Sequence, residues 1–256
     1  MEGISFIVRV RNEEATLEAS LRSLLELTVP KEILVFLHLC TDGSHDIATR
    51  LSAGNPCIKV FTYNVEISRA GYETLATDVS SSHSLSTYLN WCYSKAKYIW
   101  KCKWDADFTL TPELRTYINT NKWLKHSQTI RIGAKNSTSV EHNDYFSSCV
   151  VTYKKHVFWE TPYFQFYPDQ YKKITLSDIF INHNSELSSV KSYWRDTPWY
   201  MKEDSDEARA VMFRMERLIA DFGKEPVGLA RSMNPECDPL GFKIVNAKPS
   251  YVNFYS

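Results

Sequence analysis

Glycine is scarce in this chain, with 8 residues among 256. Neither G-x-G-x-x-G nor G-x-x-x-x-G-K-[ST] occurs, so a dinucleotide-binding Rossmann unit and a P-loop both lack their phosphate cradle. Net charge is absent too: 30 Lys and Arg balance 30 Asp and Glu. Phosphate neutralisation along a polyanion needs a basic excess, so a general nucleic-acid binder is excluded, whereas a local charged cleft is not. No apolar run approaches the ~18 residues of a membrane span. The longest runs, from Ile4 to Val8 and from Ile33 to Cys40, read as buried strands. Met1-Glu2-Gly3 supplies no basic region ahead of the first strand, so no signal peptide is expected. The 6 cysteines (Cys40, Cys57, Cys92, Cys102, Cys149, Cys237) are dispersed and form no C-x-x-C pair. That pattern excludes a clustered zinc site and a disulfide scaffold, and points to reduced thiols in the cytoplasm. Asn136-Ser137-Thr138 has the spacing of a glycosylation acceptor, which would matter only in a secretory compartment.

What is present suits a large core. Hydrophobic residues make up 43% and aromatics 14% of the chain, and the length fits a single domain over residues 1–256. Strands are expected from Ile4 to Val10, Ile33 to Leu39, Ile58 to Tyr63 and Tyr98 to Trp104. Helices alternate with them, from Glu13 to Leu27, from Asp42-Gly43-Ser44 to Gly54, from Ser84 to Ala96, and from Thr111-Pro112-Glu113 to about Leu124. The stretch from Asn64 to Ser82 reads as a loop. Further strands are expected from Gln128 to Gly133, Phe146 to Tyr153 and Ile174 to Ile181. A helix from Asp204 to Phe222 carries Ala208, Val211, Met212, Met215, Leu218, Ile219 and Phe222 on one packing face. The fold class is α/β: a mostly parallel central sheet flanked by helices, with a mixed smaller sheet and a C-terminal helix.

The chemistry begins at Lys103-Trp104-Asp105-Ala106-Asp107. Two carboxylates two residues apart, at the carboxyl end of a hydrophobic strand, sit where open α/β sheets place ligands. A strand's period of two aims both to one side. Magnesium or manganese takes one or two carboxylates together with substrate phosphates. Read alone, the same pair is a solvated acidic turn capping the next helix.

Three ordered motifs make the chain resemble the GT-A glycosyltransferases of the family 2 type, the nucleotide-diphospho-sugar transferases. They are Val8-Arg9-Val10-Arg11-Asn12-Glu13-Glu14 after the first strand, His38-Leu39-Cys40-Thr41-Asp42-Gly43-Ser44 after the second, and the helix and strand that end in Asp105-Ala106-Asp107. The resemblance covers residues 4–124. It implies a GT-A fold in which residues 1–124 bind a nucleotide sugar and residues 125–256 bind the acceptor. It further implies Mn2+ or Mg2+ held by Asp107, with Asp105 assisting it or touching the ribose or sugar. Val10, Arg11, Glu13, His38 and Asp42 fall at positions lining the nucleotide pocket. Arg11 reads equally as a surface charge, Glu13 as a first-turn acid and Asp42 as an N-cap. The family's paired aspartates after the second strand are not reproduced: Leu37-His38 or Thr41-Asp42 stands there. The family's arginine before the asparagine of the third helix is Leu89 here, so Arg69 or His83 would supply that phosphate contact.

The second half must supply the rest. Asp178-Ile179-Phe180-Ile181-Asn182-His183 ends a strand-like run in a candidate third metal ligand, His183. Glu160, beside Phe158 and Trp159, is a candidate general base because partial desolvation raises a carboxyl pKa. Asp196 is its rival. Lys191 and Arg195 could close over the diphosphate. Glu203-Asp204-Ser205-Asp206-Glu207 reads as the acidic start of the long helix. The resemblance implies a metal-dependent hexosyl- or pentosyltransferase, inverting by single displacement, that moves a sugar from a UDP-sugar to a glycan hydroxyl. Its location would be the cytoplasm, of a host if the source is a large virus. A sugar nucleotidyltransferase is the nearest rival enzyme, although residues 9–14 carry no glycine-rich phosphate loop. A catalytically silent glycan-binding module is the rival of another class, and donor hydrolysis separates it from an enzyme.

Overall fold

A computed structural model describes residues 2–69, 72–120, 128–147, 152–155, 163–166, 172–184 and 197–222. Apolar β-rich runs form the strands β1 (Ile4–Val10), β2 (Lys31–His38), β3 (Ile58–Tyr63) and β4 (Trp100–Asp105). The linking helices are α1 (Leu17–Leu25), α2 (Ser44–Gly54), the short α3 (Tyr72–Ala76) and α4 (Leu85–Ser94). Beyond β4 follow β5 (Phe108–Leu110), α5 (Pro112–Asn119), β6 (Gln128–Lys135), β7 (Val140–Ser147), β8 (Thr152–Lys155), β9 (Tyr163–Phe166), β10 (Lys172–His183) and α6 (Asp206–Phe222).

The main sheet has 8 strands in the order β3-β2-β1-β4-β7-β6-β10-β5. β1 pairs in parallel with β2 and β4, β2 with β3, and β6 with β10; β7 runs antiparallel to β4 and β6, and β5 antiparallel to β10. All strands except β5 and β7 therefore point the same way, and the carboxyl ends of β1, β2, β3, β4 and β10 share one edge. The expected α/β class with a mostly parallel central sheet is the observed one. The later strands β6, β7 and β10 complete that sheet, and the smaller sheet is the antiparallel pair β8–β9.

Chain length forces this sheet to curl. In a flat sheet β5 would lie four strand spacings from β4, about 19 Å away. Only Ala106 and Asp107 separate Asp105, the last residue of β4, from Phe108, the first of β5, and three residue steps reach at most ~11 Å. The far end of the sheet must therefore bend back towards β4, which brings the end of β10 to the loop after β4.

One face of β1, β2 and β4 carries the core: Phe6, Val8, Val10, Ile33, Val35, Leu37, Trp100, Cys102 and Trp104 are all buried with Leu17, Leu21 and Leu24 of α1. Trp104 packs edge-on against Phe6 and Phe108, and its indole N–H donates to Ser20 Oγ at 3.0 Å. At the opposite edge, Ser5 donates to Glu32, Lys59 pairs with Glu32 at 3.0 Å, and Lys97 N–H donates to it at 2.8 Å.

By internal contacts the chain divides into two compact units. One comprises residues 1–64, 92–151 and 167–191 and holds the main sheet. The other comprises residues 65–91, 152–166 and 192–256. In it Tyr72, Ala76, Trp199, Tyr200, Ala208, Val211 and Leu218 form a small core.

Several boundaries differ from expectation. α1 starts at Leu17 rather than Glu13, because Asn12 at φ 56° and the ties described below hold residues 12–16 in a turn. The loop expected from Asn64 to Ser82 contains α3. Of the strand expected from Phe146 to Tyr153, residues 146–147 end β7 and residues 152–153 begin β8, which belongs to a different sheet; residues 148–151 lie outside the described residues. On α6, Ala208, Val211 and Leu218 are buried, but Met212 is 40% and Ile219 43% exposed. The single apolar face expected there is thus narrower, and Phe222 lies where side chains are outside the described residues.

Candidate active site at the carboxyl edge of the sheet

Two loops on neighbouring strands are laced together. After β1, Asn12 accepts from Thr41 N–H at 2.6 Å, and Glu14 accepts from Gly43 N–H at 2.7 Å. After β2, Asp42 accepts from Glu14 N–H and Ser44 N–H, both at 3.0 Å, and Ser44 Oγ accepts from Glu13 N–H at 2.8 Å. A Cβ at Gly43 would stand 2.9 Å from Glu14 Oε2, so a side chain there would push aside the carboxylate that accepts from Gly43 N–H. Asn12 and Leu39 hold matching left-handed conformations, φ 56° and 47°, at the same point of the two loops. For leucine that conformation is costly, and such strain persists only where surroundings impose it.

Both carboxylate oxygens of Asp42 are thus engaged by main-chain donors. Burial pushes its pKa up, but the bonds from Ser44 and Glu14 prevail and hold it below the usual carboxylate range. Glu13 is 7% exposed and accepts from Thr16 Oγ1 at 3.1 Å. Val10 is buried in the core, so only its main chain faces the edge. Burial raises the Cys40 thiol pKa. His38 is 4% exposed, with Arg11 Nη1 3.4 Å from its Nδ1 and the Tyr63 ring 6.1 Å away.

At the end of β4 the two aspartates have different surroundings. Asp105 meets Arg9 Nη2 at 3.0 Å through Oδ1 and Lys103 Nζ at 3.9 Å through Oδ2. Burial raises its pKa, yet Lys103 and Arg9 outweigh this and hold it below the usual range. Asp107 sits not in the strand but in the turn between β4 and β5, so the period-two alignment does not apply to it. Its side chain is 7% exposed, and His183 Nε2 stands 3.2 Å from its Oδ2. Register produces that meeting: His183 pairs with Phe108, and Asn184 donates through both its main-chain N–H and Nδ2 to Asp107 O, each at 2.9 Å. The His183 ring also packs edge-on against Phe108.

One end of the sheet therefore gathers Val10, Arg11, Glu13, His38, Asp42, Asp105, Asp107 and His183. Arg69 lies in the second unit, where its main-chain N–H and guanidinium bind the buried Glu73. His83, the other candidate for that contact, stacks on Trp199 at 3.7 Å, and its Nδ1–H donates to Glu66 O at 2.6 Å. Glu160, Lys191, Arg195 and Asp196 lie outside the described residues. The sequence reading missed Arg9 and Asn184. Arg9 was legible as the one cation in an apolar strand, and Asn184 only as the residue after His183.

The Asp107 carboxylate and His183 imidazole are donors suited to Mn2+ or Mg2+, and a nearly buried carboxylate facing one imidazole fits a cation. Asp105 is already matched by two cations. No group of three His, Cys, Asp or Glu side chains converges as a ligand set among the described residues.

No protein-family model matches the chain, and no curated protein matches it in sequence. Among solved structures it is similar to a mannosyltransferase of Pyrobaculum calidifontis in complex with GDP-Man and Mn2+, at 16% identity and TM-score 0.47 over 90% of this chain and 67% of that one. It is similar to S. aureus TarS 1-349 in complex with UDP-GlcNAc, at 16% identity and TM-score 0.41 over 55% of this chain. The match spans only 37% of that TarS chain. It is also similar to glucosyl-3-phosphoglycerate synthase of Mycobacterium tuberculosis, at 17% identity and TM-score 0.38 over 53% of this chain and 44% of that one.

Proposed function

We propose that the chain is a metal-dependent glycosyltransferase of the GT-A type that moves a hexosyl or pentosyl unit from a nucleotide-diphosphate donor, a UDP-sugar, to a glycan hydroxyl. The observation that carries this reading is the meeting of Asp107 and His183. A carboxylate after the fourth strand and a histidine ending the tenth are brought to 3.2 Å at the carboxyl edge of a parallel sheet, where such sheets take ligands.

Asp107 and His183 would hold the Mn2+ or Mg2+. That ion supplies Lewis-acid neutralisation of the donor's diphosphate when bound. The chain's own residues do the remaining work. The laced loops after β1 and β2 present Arg11 and His38, beside Tyr63, to the nucleoside. Glu160, or its rival Asp196, takes the proton of the acceptor hydroxyl as its oxygen bonds to the anomeric carbon. The bond from that carbon to the diphosphate oxygen breaks on the opposite side, and its electron pair leaves with the nucleoside diphosphate. Lys191 and Arg195 are assigned to the leaving group.

Cys40, Cys57, Cys92 and Cys102 take part in no disulfide, which supports a cytoplasmic location. No described helix is long and apolar enough to cross a membrane. The test is metal-dependent release of free sugar from a panel of UDP-sugars and GDP-sugars. Release with Mn2+ that is lost in Asp107→Ala supports the reading. Absence of hydrolysis for every donor, with Asp107→Ala binding ligand like the parent, would sink it in favour of a silent glycan-binding module.

A further inference from the structure

Among the described residues, Asn12 and Leu39 are the non-glycine residues with left-handed backbone, and both stand at the carboxyl edge of the sheet. Val10 and Leu37 are register partners on β1 and β2, so each left-handed residue lies two places beyond the same rung. Asn12 suits the conformation. Asparagine enters it readily, and its Oδ1 accepts from Thr41 N–H at 2.6 Å and from Thr41 Oγ1 at 3.3 Å. Leucine has no such compensation, because its side chain forms no hydrogen bond and its Cβ crowds the following carbonyl oxygen.

The chain on either side imposes the turn. His38 ends β2 in register with Tyr63, which fixes the entry. Cys40 Sγ lies 3.5 Å from Val10 O, and Thr41 N–H is tied to Asn12, which fixes the exit. A glycine or an asparagine at position 39 would make the same turn with less strain. The strain of leucine is therefore set against something its side chain does. Packing on the main core is not that purpose: among the described residues, that core takes in Leu37 and Cys40 but not Leu39. The residue is partly exposed and directly follows His38, in the loop assigned above to the nucleoside. An aliphatic group in that place matches the apolar face of a planar base.

We propose that Leu39 is a binding residue for the donor, held in a left-handed conformation that presents its side chain to the face of the nucleobase. This deepens the nucleotide-sugar reading above and rests on it. Relief of strain in the loop and loss of grip on the base then go together, as a trade of stability against function.

Two measurements on the full chain test this: thermal melts without ligand, and calorimetric titration in Mn2+ with uridine and UDP and with guanosine and GDP. Leu39→Asn relaxes the backbone and removes the apolar surface. It should raise Tm by about 2–4 °C and weaken nucleoside and diphosphate alike by roughly threefold to tenfold. Leu39→Ala keeps the Cβ and hence the strain, so it should weaken binding to the same degree without raising Tm. Leu39→Met restores an apolar side chain and should bind like the parent. Equal loss for a nucleoside and its diphosphate is the decisive reading, because it locates the contact on the base rather than on the phosphates. A purely structural role predicts the opposite pairing, with a lower Tm in Leu39→Asn and unchanged affinity in the folded variant. That result, or unchanged binding in both Leu39→Asn and Leu39→Ala, overturns the proposal and leaves the transferase reading standing. If neither base series binds the parent, both are overturned.

Discussion

Single residues divide into those whose local chemistry is visible in the chain and those that need a neighbour. Asp105 and Asp107 were visible because a strand of Trp and Cys runs into them. Their different surroundings were not, because Arg9, one of the two cations on Asp105, comes from another strand and the imidazole on Asp107 from His183, far along the chain. Asp42 shows the reverse: its type and place allowed both a nucleotide contact and a cap, and its oxygens are engaged by Glu14 and Ser44 N–H. Glycines behave the same way. Gly3 has φ 148°, and a Cβ there would stand 2.6 Å from the Tyr98 ring and 2.8 Å from Pro30 O. Gly3→Ala should therefore lower stability by roughly 1–3 kcal/mol. Gly54, at the end of α2, has nothing within 4 Å of an added Cβ and no positive φ, so Gly54→Ala should raise stability by about 0.5–1 kcal/mol through the unfolded chain. Urea unfolding of the two variants checks the opposite signs; equal effects would refute the assignment.

At the scale of elements, periodicity located the parallel strands and their helices well, since apolar runs between clear stops leave few alternatives. It failed where pairing rather than composition makes the strand. Val140–Ser147 is mostly polar and exists as β7 because it bridges β4 and β6; β5 is only three residues long. Helical spacing placed α6 but overstated its buried face. Val211→Ala should cost roughly 2 kcal/mol, whereas Met212→Gln should stay within about 0.5 kcal/mol, as read by chemical denaturation. Glu32 ties three strands, with Ser5 on β1 and Lys59 on β3 as partners. Burial raises its pKa, but Ser5, Lys97 N–H and Lys59 together hold it below the usual carboxylate range. The folded pKa is depressed, so the stabilisation is present above the unfolded value of ~4.3 and is lost as pH falls through the folded one. Glu32→Gln should thus cost a few kcal/mol at pH 7 and progressively less below pH 4.5. Unfolding free energies of parent and variant across that range test it; a difference that stays constant into acid would contradict the sign.

For the molecule as a whole, the decisive property is the closure that no local pattern announces. His183 reaches Asp107 because the sheet cannot remain flat when β4 and β5 are joined by two residues, and because β10 pairs with β5 so that His183 lies opposite Phe108. Family resemblance offered His183 as a third metal ligand beside Asp107, but periodicity alone had no means of bringing it to the motif, since that depends on the order of all eight strands. On the proposed function, closure also makes metal affinity a property of the assembled sheet. An ion that binds only the folded chain adds RT ln(1 + [L]/Kd), about 2.7 kcal/mol at a hundred times Kd. For a chain of this size each kcal/mol raises Tm by about 2–4 °C, so saturating Mn2+ should raise it by roughly 5–10 °C. Asp107→Asn and His183→Ala should each abolish most of that shift. His45→Ala, whose ring is 61% exposed on α2, should leave it intact. A shift that survives loss of His183 would mean that Asp107 holds its ion with other partners, and that the meeting of β10 with the loop after β4 serves packing alone.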